Sequence, residues 1–352
     1  MRIAFLTATP LNVLQGSGTF AGVATLAAAL RRLGHDVEII PPRFRFPVFT
    51  AGRLFYNWHL RARRWTGFDL VVGFDLDGFT VAGRAGCPHI ASIKGVIADE
   101  MRFERGLTRL TMAVQAAFEA RHVRRADLVI TTSNYAAARI RELYRLPERP
   151  SIVPEAIDLS AWQSLFLRNP AQPDPAGFTV LTVCRFYPRK RLHLLLAAAV
   201  ELRRQIPGLE FRIVGNGPER GRLLSMWRAN RLQGTVKWLG DLSQEALARE
   251  YNACDVFCLP SVQEGFGIVF LEAMAAGKPV VAARAAAAPE VLPHGLLVEP
   301  DNARAVAEAI LRLHRDPDLR SSLAEEGARR VLRYDARPVA ETFLAESSRL
   351  LK

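Results

Sequence analysis

The stretch Leu259–Leu292, LPSVQEGFGIVFLEAMAAGKPVVAARAAAAPEVL, decides how the chain folds. The apolar tetrad Val256-Phe257-Cys258-Leu259 reads as a buried strand that ends where the stretch begins. A glycine loop with one carboxylate follows, Glu264-Gly265-Phe266-Gly267, and the spacing then predicts a helix from Ile268 to Ala276. Gly277 stands at the helix C-cap, Pro279 stops the helix, and Val280-Val281 opens another buried strand. Strand, glycine loop, helix and strand make a βαβ unit.

The two glutamates of this unit carry its chemistry. A helix N-terminus offers free N–H groups and a partial positive charge, and glycines let an anionic group reach the backbone. Residues Gly265 to Gly267 therefore suit a phosphate or a sugar hydroxyl. Glu264 lies in the loop and Glu272 on the helix it opens. A carboxylate only accepts hydrogen bonds, through two oxygens, and matches the paired hydroxyls of a ribose or hexose. Two carboxylates flanking an anion-binding turn describe a nucleotide-sugar pocket; the plainer reading makes both ordinary surface groups.

Bulk properties narrow the setting. With 352 residues, 49% of them hydrophobic, the chain can bury more than one core, and two domains of about 150 to 170 residues are expected. No run of about 18 apolar residues is free of charge, so no transmembrane helix is expected. The N-terminal MRIAFLTA enters a strand directly and lacks the features of a signal peptide, which points to the cytoplasm. Cys87, Cys184, Cys254 and Cys258 read as free thiols, and the seven histidines show no ligand spacing, so neither a metal site nor a cofactor is expected.

The formal charge of +12 is uneven, with about 21 Arg and Lys against about 12 Asp and Glu in residues 1–150. Its densest run, RFRFPVFTAGRLFYNWHLRARRW from Arg43 to Trp65, interleaves arginine with aromatics. Such a segment suits an anionic membrane surface through Arg43 to Arg64, or a phosphorylated or lipid-linked acceptor. The plain alternative is a solvated, partly packed helix and loop. Nucleic acid is not the expected partner.

Along the chain, Arg2–Thr7 reads as a strand, Gly16-Ser17-Gly18 as a helix entrance, Ala21–Leu33 as a helix and Asp36–Ile40 as a strand. Strands over Asp69–Gly73 and His89–Ile93 follow, the second ending at Lys94-Gly95, then a helix over Thr108–Arg124. Residues Asn169–Gly177, NPAQPDPAG, form the clearest linker. The pattern then restarts with a strand over Phe178–Val183 and a helix that opens among Arg189, Lys190 and Arg191. Cations at a helix N-terminus oppose its dipole, so an anion is expected beside them.

The run EGFGIVFLEAMAAGKPVV resembles the donor-site signature of the GT4-type (family 4) retaining glycosyltransferases, and the resemblance spans nearly the whole chain. It implies an α/β protein of the GT-B fold, two Rossmann-like doubly wound domains facing each other across a cleft. The expected division is residues 1–168 on the acceptor side, a linker at 169–177, a donor-binding domain at 178–335, and a C-terminal helix over 336–352 that returns to the first domain. By resemblance, Glu264 contacts the donor sugar, Glu272 holds the ribose, and the backbone from Gly265 through Phe266 and Gly267 to Ile268 binds sugar and phosphate. Arg185 and Lys190 match the pair that grips the donor diphosphate; Gly215 stands beside the nucleotide, the backbone at Leu239 reads the base, and Gly18 lets a ligand approach. Lys94 occupies the place of a family histidine and is assigned to the catalytic set, while Glu119 matches a family glutamate loosely.

Several positions depart from the pattern: Ser17, Cys184 and Arg191 replace glycines, and Glu155-Ala156 replaces Asn-Gly. The implied reaction moves a sugar from a UDP- or GDP-sugar to the hydroxyl of a glycan, lipid-linked or small-molecule acceptor. It retains anomeric configuration and needs no metal, in the cytoplasm or peripherally on the inner membrane face. The alternative is a GT-B relative that has lost activity and serves as a binding partner or scaffold.

Overall fold

The computed structural model describes residues 1–9, 18–43 and 49–351. Gly16 and Ser17 of the first glycine loop, and residues 44–48 of the basic run, lie outside this set. The chain forms two compact units, Met1–Ala156 with Ala336–Lys352, and Ile157–Asp335.

The first unit holds strands β1 (Arg2–Leu6), β2 (Asp36–Ile40), β3 (Leu70–Phe74), β4 (His89–Ile93), β5 (Leu128–Thr131) and β6 (Ser151–Ile152) in one sheet of order β2-β1-β3-β4-β5-β6. Every pairing is parallel. Every residue of β3 and β4 is buried, as a parallel sheet covered by helices on both faces requires. The C-terminal helix Ala336–Ser347 packs on the helix Gly18–Arg32. Its apolar stripe, Val339, Ala340 and Phe343, is buried in the same cluster as Ile3 and Phe5, and the Phe343 and Phe5 rings meet edge to face at 6.3 Å.

The second unit holds β7 (Phe178–Val183), β8 (Leu209–Val214), β9 (Val236–Gly240), β10 (Val256–Leu259), β11 (Val280–Ala283) and β12 (Leu296–Val298) in the order β12-β11-β10-β7-β8-β9, again parallel throughout. Counted from β7, this is the dinucleotide-fold order 3-2-1-4-5-6, whose direction of winding reverses between β7 and β10. Ligands of open α/β sheets bind outside the carboxyl ends of strands at such a reversal. The βαβ unit of the opening stretch is β10, the helix Ile268–Ala275 and β11, with Gly277 at φ 65° beyond the helix end.

One boundary differs from the expected division. The helix Leu159–Arg168, expected in the first domain, belongs to the second unit. Its buried Trp162 meets Tyr251 edge to face at 5.9 Å, and Asn252 donates to the carbonyls of Phe166 and Asn169. Proline content marks the NPAQPDPAG segment as irregular, but burial of the Trp162 face decides which core the preceding helix joins.

Candidate active site

The second unit brings three loops together at the carboxyl edge of its sheet. After β7, Phe186 is buried against Trp238 at 5.5 Å; its N–H donates to the Asn216 carbonyl and its own carbonyl accepts from Glu219. This anchor holds Arg185 beside the end of β9, where its guanidinium lies 3.4 Å from Asp241. A 3-10 turn, Pro188–Lys190, follows, and the Arg189 carbonyl accepts from Val262 N–H at 3.0 Å. That bond ties the β7 loop to the β10 loop and sets Lys190 against Glu264, Nζ to Oε1 at 2.5 Å.

The β8 loop explains its own glycines. A Cβ on Gly215, at φ 113°, would lie 2.0 Å from the Cys184 carbonyl oxygen, and one on Gly217 would lie 2.5 Å from Phe186 N. Both glycines are required by the close approach of the neighbouring loop, whatever ligand Gly215 meets. In β9 the ladder passes from Trp238 to Gly240, leaving Leu239 as the bulged residue. At this shift it is the Gly240 carbonyl that accepts from Gly215 N–H, at 2.7 Å.

Gly267, at φ 93°, opens the helix Ile268–Ala275 and has no side chain to cap the first turn. Phe266 turns its ring into the core, edge to face with Tyr334 at 5.3 Å, and Ile268 is half-buried. Glu272 lies further along the same helix, almost fully buried, and accepts from the Tyr251 hydroxyl at 2.8 Å. Burial pushes the Glu272 carboxyl up to about 7, and the Tyr251 bond offsets only part of that. Ser261 Oγ and both amide atoms of Gln263 are buried beside this loop with no hydrogen-bond partner among the described residues.

The cations at the start of the helix Leu192–Leu202 are matched by the protein's own carboxylates. Arg191 makes a two-pronged contact with Asp301, at 2.6 and 3.2 Å, and Lys190 has Glu264. The anion expected there is thus already present for Arg191, which has a structural partner.

In the first unit, Lys94 has a different setting from the one its sequence position implies. Its N–H donates to Asp75 at 2.8 Å, and its ammonium meets Glu155 Oε2 at 3.1 Å with both side chains buried. A Cβ on Gly22 would lie 2.1 Å from that Glu155 oxygen, so the helix Gly18–Arg32 carries glycine there to admit the pair. Gly18 is the exposed first residue of that helix. Glu119 is fully buried and accepts from Ile97 N–H and the Tyr144 hydroxyl, an anchoring role. In the basic run, Arg53 is buried on Asp77, Nε to Oδ1 at 2.9 Å, and belongs to the core; Arg43, Arg61 and Arg64 are exposed. The helix Phe49–Ala62 also exposes Phe49 and Trp58, and a cavity of about 580 Å³ beside it is lined by Arg43, Phe55, Tyr56, His59 and Arg63.

By resemblance, motif spacing marked Arg185, Lys190, Glu264 and Glu272 as candidates. It missed Tyr251, Asp241 and Asp301, whose roles arise only from contacts across the sheet edge. Among the described residues no group of three or more His, Cys, Asp or Glu is placed to hold a metal ion.

Two Rossmann-like units, each built on a six-stranded parallel sheet, define an α/β protein of the GT-B fold class. The family model described as "Glycosyl transferases group 1" matches residues 166–330, and that described as "Glycosyltransferase Family 4" matches residues 16–161. The chain belongs to this GT4-type family of glycosyltransferases with the GT-B fold. It is 35% identical over 188 residues to a phosphatidyl-myo-inositol mannosyltransferase of Mycolicibacterium smegmatis, covering 52% of this chain and 47% of that protein. It is 29% identical over 224 residues to a GDP-mannose-dependent alpha-(1-6)-phosphatidylinositol monomannoside mannosyltransferase of Mycobacterium tuberculosis, 57% of this chain and 56% of that one. The matches span about half the length of these relatives. Among solved structures, a sucrose-phosphate synthase from Thermosynechococcus elongatus aligns with a TM-score of 0.79 at 24% identity over 99% of this chain and 98% of that one. Anabaena HepE in complex with UDP-glucose aligns at 0.76, with 21% identity over 99% of this chain and 100% of that one. Both likenesses concern the fold.

Proposed function

We propose that the chain transfers a sugar from a UDP- or GDP-sugar to an acceptor hydroxyl, with retention of anomeric configuration and without a catalytic metal ion. One observation carries this reading: Arg185, Lys190 and Glu264 leave β7 and β10 at the switch point, and Glu272 sits on the helix that the Glu264 loop opens. Departure of a nucleoside diphosphate builds negative charge on its β-phosphate, and fixed cations stabilise that charge as it grows. Arg185 and Lys190 take this part, Glu264 receives sugar hydroxyls, and Glu272 receives the ribose. Gly265 to Ile268 lend backbone N–H groups, and the backbone at Leu239 reads the base. The acceptor oxygen attacks the anomeric carbon on the leaving-group face while the bond to phosphate breaks, and a phosphate oxygen takes the acceptor's proton. In this reading Lys94 positions Glu155 and is not a catalytic group. The GDP-mannose dependence of one relative and the UDP-glucose bound to HepE motivate the two donor classes.

Thermal-shift measurements with UDP-, GDP-, ADP- and TDP-sugars test the reading, because a ligand of the folded state raises the melting temperature. Arg185→Ala is expected to lower turnover about tenfold to a hundredfold, the loss of a charge-assisted contact of about 1.5–3 kcal/mol. Unchanged turnover removes that assignment, and nucleotide binding without transfer or hydrolysis returns the chain to the inactive-relative alternative. For the acceptor side, the exposed Trp58 and Phe49 among Arg43, Arg61 and Arg64 favour a lipid-linked acceptor presented at an anionic membrane surface.

A further inference from the structure

The contact between Lys190 and Glu264 joins two groups that the donor reading assigns to different parts of one ligand. The ammonium is wanted by the diphosphate and the carboxylate by the sugar, yet here each takes the other at 2.5 Å, with the side chains only 12% and 10% exposed. Arg185 provides the contrast. Its contact with Asp241 is long, 3.4 Å, and the two side chains are 39% and 36% exposed, so solvent screens it and a phosphate meets little competition there. Arg191 is bound by two prongs to Asp301 and takes no part.

We propose that Glu264 is a built-in stand-in for the donor diphosphate: its carboxylate occupies the Lys190 ammonium until the diphosphate arrives, and displacing it releases the same carboxylate to the sugar hydroxyls. The inference rests on the donor reading above and adds an order to it. Phosphate recognition and sugar recognition become one event, because the cation cannot turn to the phosphate without loosening Glu264. A free nucleoside diphosphate must displace Glu264 and gains nothing from the freed carboxylate, which has no sugar to bind. A complete nucleotide sugar recovers that loss through the sugar hydroxyls. The pair therefore discriminates the donor from its own by-product.

The physics makes a prediction opposite in sign to that of an ordinary binding residue. Removing one member of a nearly buried ion pair leaves the other charge uncompensated. In Glu264→Gln, Lys190 is left without its counter-ion and takes a diphosphate without competition. Titration calorimetry with UDP and GDP is expected to show the better-binding diphosphate bound about tenfold more tightly by E264Q than by the wild type. The ligand-free variant should melt lower and gain more from the diphosphate than the wild type does, while transfer from the nucleotide sugar falls. In Lys190→Met the gain from E264Q should vanish, since it acts through that ammonium. Equal or weaker diphosphate binding by E264Q overturns the stand-in and leaves the donor reading intact. A gain that survives in the K190M background also overturns it, because it would then reflect general repulsion by Glu264. Wild-type protein that binds neither diphosphate nor nucleotide sugar overturns the donor reading and this inference with it.

Discussion

Burial pushes the Glu272 carboxyl up to about 7, and among the described residues the Tyr251 hydroxyl donates to it. Its folded value, about 7, lies above the ordinary 4.5, so the folded state binds the extra proton. This share of stability is complete below about 4.5 and is lost as pH rises toward about 7. Melting curves of the ligand-free protein should record that loss, and Glu272→Gln should lack it. Ribose hydroxyls bond better to the ionised form, so nucleotide affinity should fall as pH drops below about 7 in the wild type, and be weaker but level in the variant. A pH-independent wild-type affinity would remove Glu272 from the ribose role. The glutamate itself was legible as a candidate, because its separation from Glu264 in the motif is a matter of spacing along the chain. Tyr251 was not: a tyrosine in an amphipathic helix signals only a core position, and its bond to Glu272 joins two helices separated by a strand and a loop in the sequence.

Local signals served the elements well wherever a cap or a glycine stated the boundary. Ser243, Asn302 and Asp316 cap their helices by accepting from backbone N–H groups three residues on, and Gly277 follows its helix in left-handed geometry. The C-terminal helix was foreseen to return to the first domain, and it does so as an amphipathic element whose apolar face fills a gap in that core. Phe343→Ala should therefore cost about 3–5 kcal/mol, the usual loss for a fully buried aromatic, read as a lower midpoint in urea unfolding. An unchanged midpoint would mean that the helix adds nothing to the first unit. The helix Leu159–Arg168 shows where local signals stop. Its sequence states an apolar face but not which of two cores will receive it, and the neighbouring proline run was the only punctuation on offer.

Across the whole molecule the positive charge gathers in the first half of the chain, and part of it is spoken for. Arg53 closes a buried pair with Asp77, and Arg63 pairs with Glu38 at 2.9 Å, whereas Arg43, Arg61, Arg64 and Trp58 are exposed. If these residues meet an anionic lipid surface, the protein should co-sediment with vesicles containing phosphatidylglycerol and not with pure phosphatidylcholine. Trp58→Ala should weaken that binding, as should raising the salt to about 0.5 M. Equal partition to both vesicle types would end the membrane reading.

By itself the sequence determined two α/β units and the βαβ stretch at the heart of the second, and it marked Arg185, Lys190, Glu264 and Glu272 as candidates, because helix and strand periods, caps and motif spacing are local properties of a chain. Only the tertiary structure decided that Lys190 and Glu264 hold each other, that Lys94 belongs to Glu155, that Arg191 belongs to Asp301, and that Gly22 and Gly215 are glycines to make room for another residue's atoms. Ion pairs and close approaches join residues far apart in sequence, and their partners are selected by the packing of strands and loops, which no spacing along the chain records.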